Sequence, residues 1–342
     1  MMKRHYYIIK GIVLLAAMLL AACSSSDSDD SPIATSQNEI HLTTNVTSMP
    51  SGTRATTIDN NTELQTKDLK IDAYYHGTDT KFLDGKTLHY ASGWKFWAAG
   101  AQEHYYWPFD GSTVTIGDEQ KVASTLDFVG FCPYDKPAYI GAPTYNHGTG
   151  VSFTCNMSNY MTLERQTGGE APTIPTMQEF LVSVLPNQTL ATQDAAAGGA
   201  LPMVFKHPFA LIKFVITSAS GTHVQINSIS LPEMKTAGTC TYNGTTMSWD
   251  RDSYSGSENI SITQTLKNGT GTTETTHFVV IPNNYGSKTL TVNATWDDWS
   301  NVTMDVTANV DFNWESGKIY TYNLTLAKYI LIVDTQKYTE QW

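Results

Sequence analysis

The chain has 342 residues, of which 41% are hydrophobic and only 15% charged, with a formal net charge of −11. An acidic chain without a Lys/Arg cluster cannot neutralise a phosphate backbone, which excludes nucleic acid as a partner. The length exceeds one average domain, and abundant Thr, Tyr and Gly favour strands and turns over helices.

The chain starts MMKRHYYIIKGIVLLAAMLLAAC. Lys3, Arg4 and Lys10 form a basic head. The apolar run from Ile12 to Leu20 is too short to span a bilayer, so residues 1–22 read as a cleaved export signal. Leu20-Ala21-Ala22-Cys23 matches the lipobox of bacterial lipoproteins: small residues admit the processing enzyme, and the Cys23 thiol takes a diacylglycerol. Lipid on Cys23 would hold the chain at the outer membrane. Without its signal, which has three basic and no acidic residues, the chain carries about −14. Residues 23–37 begin CSSSDSDD and are too polar to bury surface, so they read as an acidic tether.

Alternation of apolar and polar residues then recurs along the body, as half-buried strands require. Ile40, Leu42, Thr44 and Val46 share one face, as do Leu69, Ile71, Ala73 and Tyr75. LDFVGFC, from Leu126 to Cys132, is more continuously apolar, as a buried strand would be. Helix signals are weak, a turn or two over Ser158 to Gln166. Phe180, Val182 and Val184 alternate again. Residues 186–202 (PNQTLATQDAAAGGALP) have no periodic face and read as the junction between two domains, 38–190 and 201–342. MVFKHPFALIKFVIT follows as a long strand pattern, in which Pro208 implies a bulge or an edge. Asn243-Gly244 and Asp297-Asp298 mark hairpins. Ile319 to Leu326 and Tyr329 to Asp334 close the chain. Many short strands punctuated by turns predict an all-β protein of two tandem β-sandwiches.

The sequence has no G-x-S-x-G, H-E-x-x-H, P-loop or G-x-G-x-x-G, so no catalytic, cofactor or metal site is expected and the chain does not read as an enzyme. Asp297-Asp298 reads as a solvated turn and His207 as a packing residue. Cys132, Cys155 and Cys240 fit no zinc spacing. They read as small buried residues, although an exported protein has the option of one disulfide. Trp94, Phe96, Trp97, Tyr105, Tyr106, Trp107 and Phe109 cluster in a short stretch. Exposed, such rings could stack on sugars and make the chain an anchored glycan-binding lipoprotein. The neighbouring residues lack the clustered acids and amides of a sugar site, which favours packing of Trp94 and Trp107 into the first sandwich.

Four stretches together resemble the fimbrillin family, the lipoprotein-derived pilins of Bacteroidales with their tip and anchor subunits. They are the lipobox ending at Cys23, Thr53-Arg54-Ala55-Thr56 after the first strand, LDFVGFCPYDKP (126–137), and the pair Phe205–Ile212 and Val280-Ile281-Pro282. The resemblance implies two transthyretin-like sandwiches and a structural or adhesive fimbrial subunit. It further implies cleavage by an Arg-specific protease between Arg54 and Ala55. That cut would release the strand bearing Ile40, Leu42 and Val46, and a neighbouring subunit's strand would fill the vacated groove. The candidate donor is Tyr329-Ile330-Leu331-Ile332-Val333, offering either Tyr329, Leu331 and Val333 or Ile330 and Ile332. Alternatively, this strand completes its own sandwich. The implied partners are other fimbrial subunits, the outer membrane and a host or bacterial surface receptor.

Overall fold

The computed structural model describes residues 38–46, 60–108, 113–116, 119–122, 125–160, 162–164, 178–219, 224–268, 273–296 and 302–341. The export signal, Cys23, the acidic tether, Arg54, Ala55 and Asp297-Asp298 lie outside the described residues. In chain order the first strands are β1 (Leu42–Val46), β2 (Leu69–Tyr75), β3 (Lys81–Tyr90), β4 (Trp94–Ala98), β5 (Ala101–Gln102), β6 (Thr113–Ile116), β7 (Glu119–Val122) and β8 (Leu126–Cys132). There follow β9 (Thr144–Asn146), β10 (Gly150–Asn156), β11 (Thr162–Glu164), β12 (Leu181–Gln188), β13 (Leu201–Phe205), β14 (Ala210–Ser218), β15 (Val224–Met234) and β16 (Ala237–Tyr242). The last are β17 (Met247–Ser255), β18 (Glu258–Asn268), β19 (Thr273–Val280), β20 (Asn284–Trp296), β21 (Val302–Asn313), β22 (Lys318–Ala327) and β23 (Ile330–Gln341). Two short α-helices interrupt them, α1 (Asn61–Leu64) and α2 (Leu190–Ala195). The protein is an all-β sandwich fold.

The central layer is a sheet of order β12-β8-β2-β3-β4-β5. All seven residues of β8 are buried, as its mostly apolar run predicts, because each face of the sheet has its own cover. On one face Leu126, Phe128 and Cys132 pack with Leu69, Ile71 and Leu181 against Leu42, Val46, Leu201, Met203 and Phe205 of a two-stranded parallel sheet, β1-β13. On the other, Val129, Phe131 and Val182 pack with Val151, Phe153, Cys155, Cys240 and Tyr242 of the sheet β17-β16-β10-β9. The one charge in β8, Asp127, is 1% exposed. It is fully partnered, accepting from Tyr145 Oη at 2.7 Å and Asn187 N at 2.6 Å and pairing with His76 Nδ1 at 2.7 Å. A buried carboxylate requires such partners.

The C-terminal part is a sandwich of β11-β18-β15-β20-β21 against β19-β14-β22-β23. Its filling includes Ile226, Val292, Trp296 and Phe312 from the first sheet and Ile212, Phe214, Tyr322 and Leu324 from the second. Strands cross the sequence-derived junction in both directions. β11 pairs parallel with β18, while β16 pairs antiparallel with β10.

Among the described residues of Ser158 to Gln166, the weak helix signal amounts to one 3-10 turn, Ser158–Tyr160, followed by β11. Two other local expectations change. The run through Pro208 is two strands in different sheets, not one bulged strand: β13 pairs with β1, whereas β14 lies between β19 and β22. Proline cannot donate to a ladder, and the chain changes layers there. The stretch 186–202 contains the end of β12 and helix α2, whose capping box joins Thr189 and Thr192. The Asn243-Gly244 hairpin is present, with β16 and β17 joined at Tyr242↔Met247 and the Asn243 side chain accepting from Thr245 N and Thr246 N.

The β8 and β13 layers pack closely at Gly130 of β8. A Cβ there would stand 2.8 Å from Phe205 Cζ and 2.9 Å from Met203 Cε. Gly130→Val is expected to cost about 1–3 kcal/mol by overpacking, seen as a lower urea midpoint at unchanged slope. An unaltered midpoint would show that the β13 layer does not press on β8.

Candidate functional site

The sequence-predicted release strand is where its alternation puts it. Ile40, Leu42 and Val46 are 2%, 3% and 4% exposed, and Asn45 faces out. Each such side chain contributes about 1.5–3 kcal/mol on burial. Yet β1 belongs to a sheet of two strands. It pairs only with β13, in parallel, with Leu42 opposite Leu201 and Val46 opposite Phe205.

The ends of the strand are pinned individually. At its N-terminal side Ile40 N donates to Tyr105 O at 2.7 Å, Glu39 bridges to Tyr106, and His104 Nδ1 lies 2.7 Å from Glu39 Oε1. At its C-terminal side Val46 N donates to Asn61 Oδ1 at 2.9 Å. That bond joins the two ends of the segment 47–59, which contains Arg54.

A buried glutamine completes the hold. Gln193 is 2% exposed on α2. Its Nε2 donates to Glu39 O at 2.8 Å, and its Oε1 accepts from His41 N at 2.9 Å and from Trp107 Nε1 at 3.1 Å. Trp107 is therefore a core residue at 4% exposure, edge-on to Phe128, in agreement with packing rather than sugar stacking. Trp94 is half-buried and edge-on to Tyr90. Gln193 escaped the sequence reading because it lies alone in a Thr/Ala/Gly-rich stretch with no apolar period. Only the Thr189-x-x-Thr192 spacing hinted at a capped helix.

The sequence-predicted donor closes its own sandwich in this structure. β23 pairs antiparallel with β22 at the sheet edge, from Ala327↔Ile330 to Lys318↔Gln341. Tyr329 is not part of the strand. It sits at φ +61 in the two-residue connection with Lys328, the backbone state a tight hairpin demands. Leu331 and Val333 face the core, whereas Ile330 and Ile332 are 56% and 51% exposed.

The fimbrillin-like family model matches residues 120–342, and the chain belongs to this family. The match leaves Ile40 to Val46 and Arg54 outside it. No curated protein sequence is significantly similar to the chain. Among solved structures the chain is similar to a fimbrial protein from Bacteroides vulgatus, at 12% identity and TM-score 0.54, covering 89% of this chain and 99% of that one. It is also similar to a candidate cell adhesion protein from Bacteroides ovatus, at 14% identity and TM-score 0.52, covering 89% and 96%. At such identities the likeness concerns the fold. Family membership supports a fimbrial subunit role at the cell surface.

The three cysteines of the body are packed away. No cluster of three or more His, Cys, Asp or Glu suited to a metal occurs among the described residues. Cys132, Cys155 and Cys240 are buried free thiols. Burial pushes Cys155 up to about 12 and raises Cys132 and Cys240 as well. At pH 8 the folded protein is expected to take up no iodoacetamide at these three positions, and to take it up at all three after unfolding. Labelling of any one in the native state, read by mass spectrometry, would contradict their burial as neutral thiols.

Proposed function

We propose that this chain is a fimbrial subunit exported as a precursor lipidated on Cys23, in which β1 is a place-holder for a strand supplied by another subunit. The observation that carries this reading is the way β1 is held. Its apolar face is fully buried, but a single parallel ladder and a few end contacts join it to the body. While the chain is intact, the short connection through Arg54 keeps β1 at an effective concentration near the millimolar range. Cleavage between Arg54 and Ala55 removes that advantage without touching the groove. A strand from a neighbour then competes on equal terms, with backbone bonds giving affinity and alternate side chains giving register.

The donor in this reading is the start of β23. An edge strand with apolar residues on its outward face is an invitation to pair, and soluble proteins ordinarily place charges or proline there. Ile330 and Ile332 stand on that outward face, while Leu331 and Val333 serve the core of their own sandwich.

Protein recovered from surface fimbriae should begin at Ala55, and Arg54→Ala should accumulate as a full-length lipidated precursor that does not assemble. Recovery of wild-type chain solely with a lipidated Cys23 would contradict cleavage and favour the anchored glycan-binding alternative. The double variant Ile330→Asp with Ile332→Asp should fold with stability within about 0.5 kcal/mol of wild type, since both side chains are exposed, yet fail to incorporate. Normal incorporation of the double variant would remove β23 as the donor.

A further inference from the structure

The parallel register between β1 and β13, Leu42↔Leu201, places Gly199 opposite Ile40 when continued backwards by two residues. The backbone does not continue there. Gly198 and Gly199 have φ +72 and +66 and turn the chain away, with Gly199 N donating to Ala196 O at 2.9 Å. In a parallel ladder, the residue opposite Ile40 would donate to the carbonyl before it and accept from the N–H after it. Those two atoms are Glu39 O and His41 N, and both are taken by the side-chain amide of Gln193. The ladder proper resumes immediately, Leu201 N donating to His41 O at 2.9 Å. Gln193 thus stands in for the missing peptide unit of β13. The capping box of α2 fixes its helix, and Trp107 Nε1 fixes which way its amide points.

We propose that Gln193 is the register-setting residue of the groove and reads the backbone of whichever extended strand fills it. Because an amide offers one donor and one acceptor in a fixed order, it accepts a strand only when that strand runs parallel to β13 and presents a C=O followed two residues later by an N–H. The occupant it fits is an extended strand of a second copy of this chain. Backbone recognition asks nothing of side chains, so sequence preference is left to the apolar pockets of Ile40, Leu42 and Val46. This inference rests on the strand-exchange reading above.

The test uses the whole chain with a sequence-specific protease site placed at residue 54, so that the cut protein keeps both pieces. A fluorescent peptide of residues 38–46 is exchanged into the groove and followed by anisotropy. Removing the N–H of His41 by N-methylation, or changing Gln193→Met, is expected to weaken the peptide about tenfold each, a typical effect for a buried amide partner. Both together should weaken it little more than Gln193→Met alone, because that variant already lacks the bond that methylation at His41 removes. Should Gln193→Met not fold, the peptides suffice: methylation at His41 must cost more than methylation at Leu42, whose N–H points away from Gln193 and β13. Independent multiplication of the two effects, or equal costs at His41 and Leu42, would overturn the role of Gln193 and leave strand exchange standing. Failure of the unmodified peptide to enter at all would overturn strand exchange, and this inference with it.

Discussion

Strand β8 is buried along its whole length, and both faces of the sheet it centres must therefore be covered. On the side of the four-stranded sheet the cover is broad and continuous with the C-terminal sandwich. On the other side, among the described residues, it consists of β1 and β13 helped by Leu64 and Trp107. An empty β1 position would expose Leu126, Phe128 and their neighbours to water, at a cost of about 25 cal/mol for each square ångström uncovered. In the proposed exchange, departure of β1 would therefore have to be coupled to arrival of a replacement. That constraint gives a single physical origin to the buried apolar face of β1, its solitary ladder and the amide that aligns it.

On the proposed reading, the light attachment of β1 apart from its side chains has the same origin. A place-holder would have to seal the groove during export and still be replaceable. Burial of Ile40, Leu42 and Val46 supplies the seal. A ladder on one edge only, with Tyr105 O, Asn61 and Gln193 at the ends, supplies few backbone bonds for a competitor to displace. β23 shows the complementary imbalance. It is laddered to β22 along most of its length, yet Ile330 and Ile332 are left in water.

Much of this was legible in the sequence, for reasons that differ by element. Alternation identified Ile40–Val46 because one face of that strand is dry and the other wet. The mostly apolar run at Leu126–Cys132 signalled a buried strand, although not what covers it. Periodicity could not show that Leu201–Phe205 belongs with β1 and Ala210 onward with a different sheet, since both segments alternate alike. Pro208 was the visible mark of the change, but a missing N–H looks the same at a bulge, an edge or a break. Tyr329 reads as a strand former by composition, and only the two-residue hairpin forces it into positive φ. Gln193 was invisible, because a side chain that imitates backbone leaves no pattern in a sequence.

The central claim is that the β1 groove changes occupant between precursor and fimbria. A photo-cross-linking residue at Met203, which lines the groove on β13, reports the occupant directly when assembled surface fimbriae are irradiated and digested. The account predicts adducts with the segment from Ile330 onward of another copy of the chain, and adducts with Leu42–Val46 in the uncut precursor only. Adducts with Leu42–Val46 in both states would contradict it.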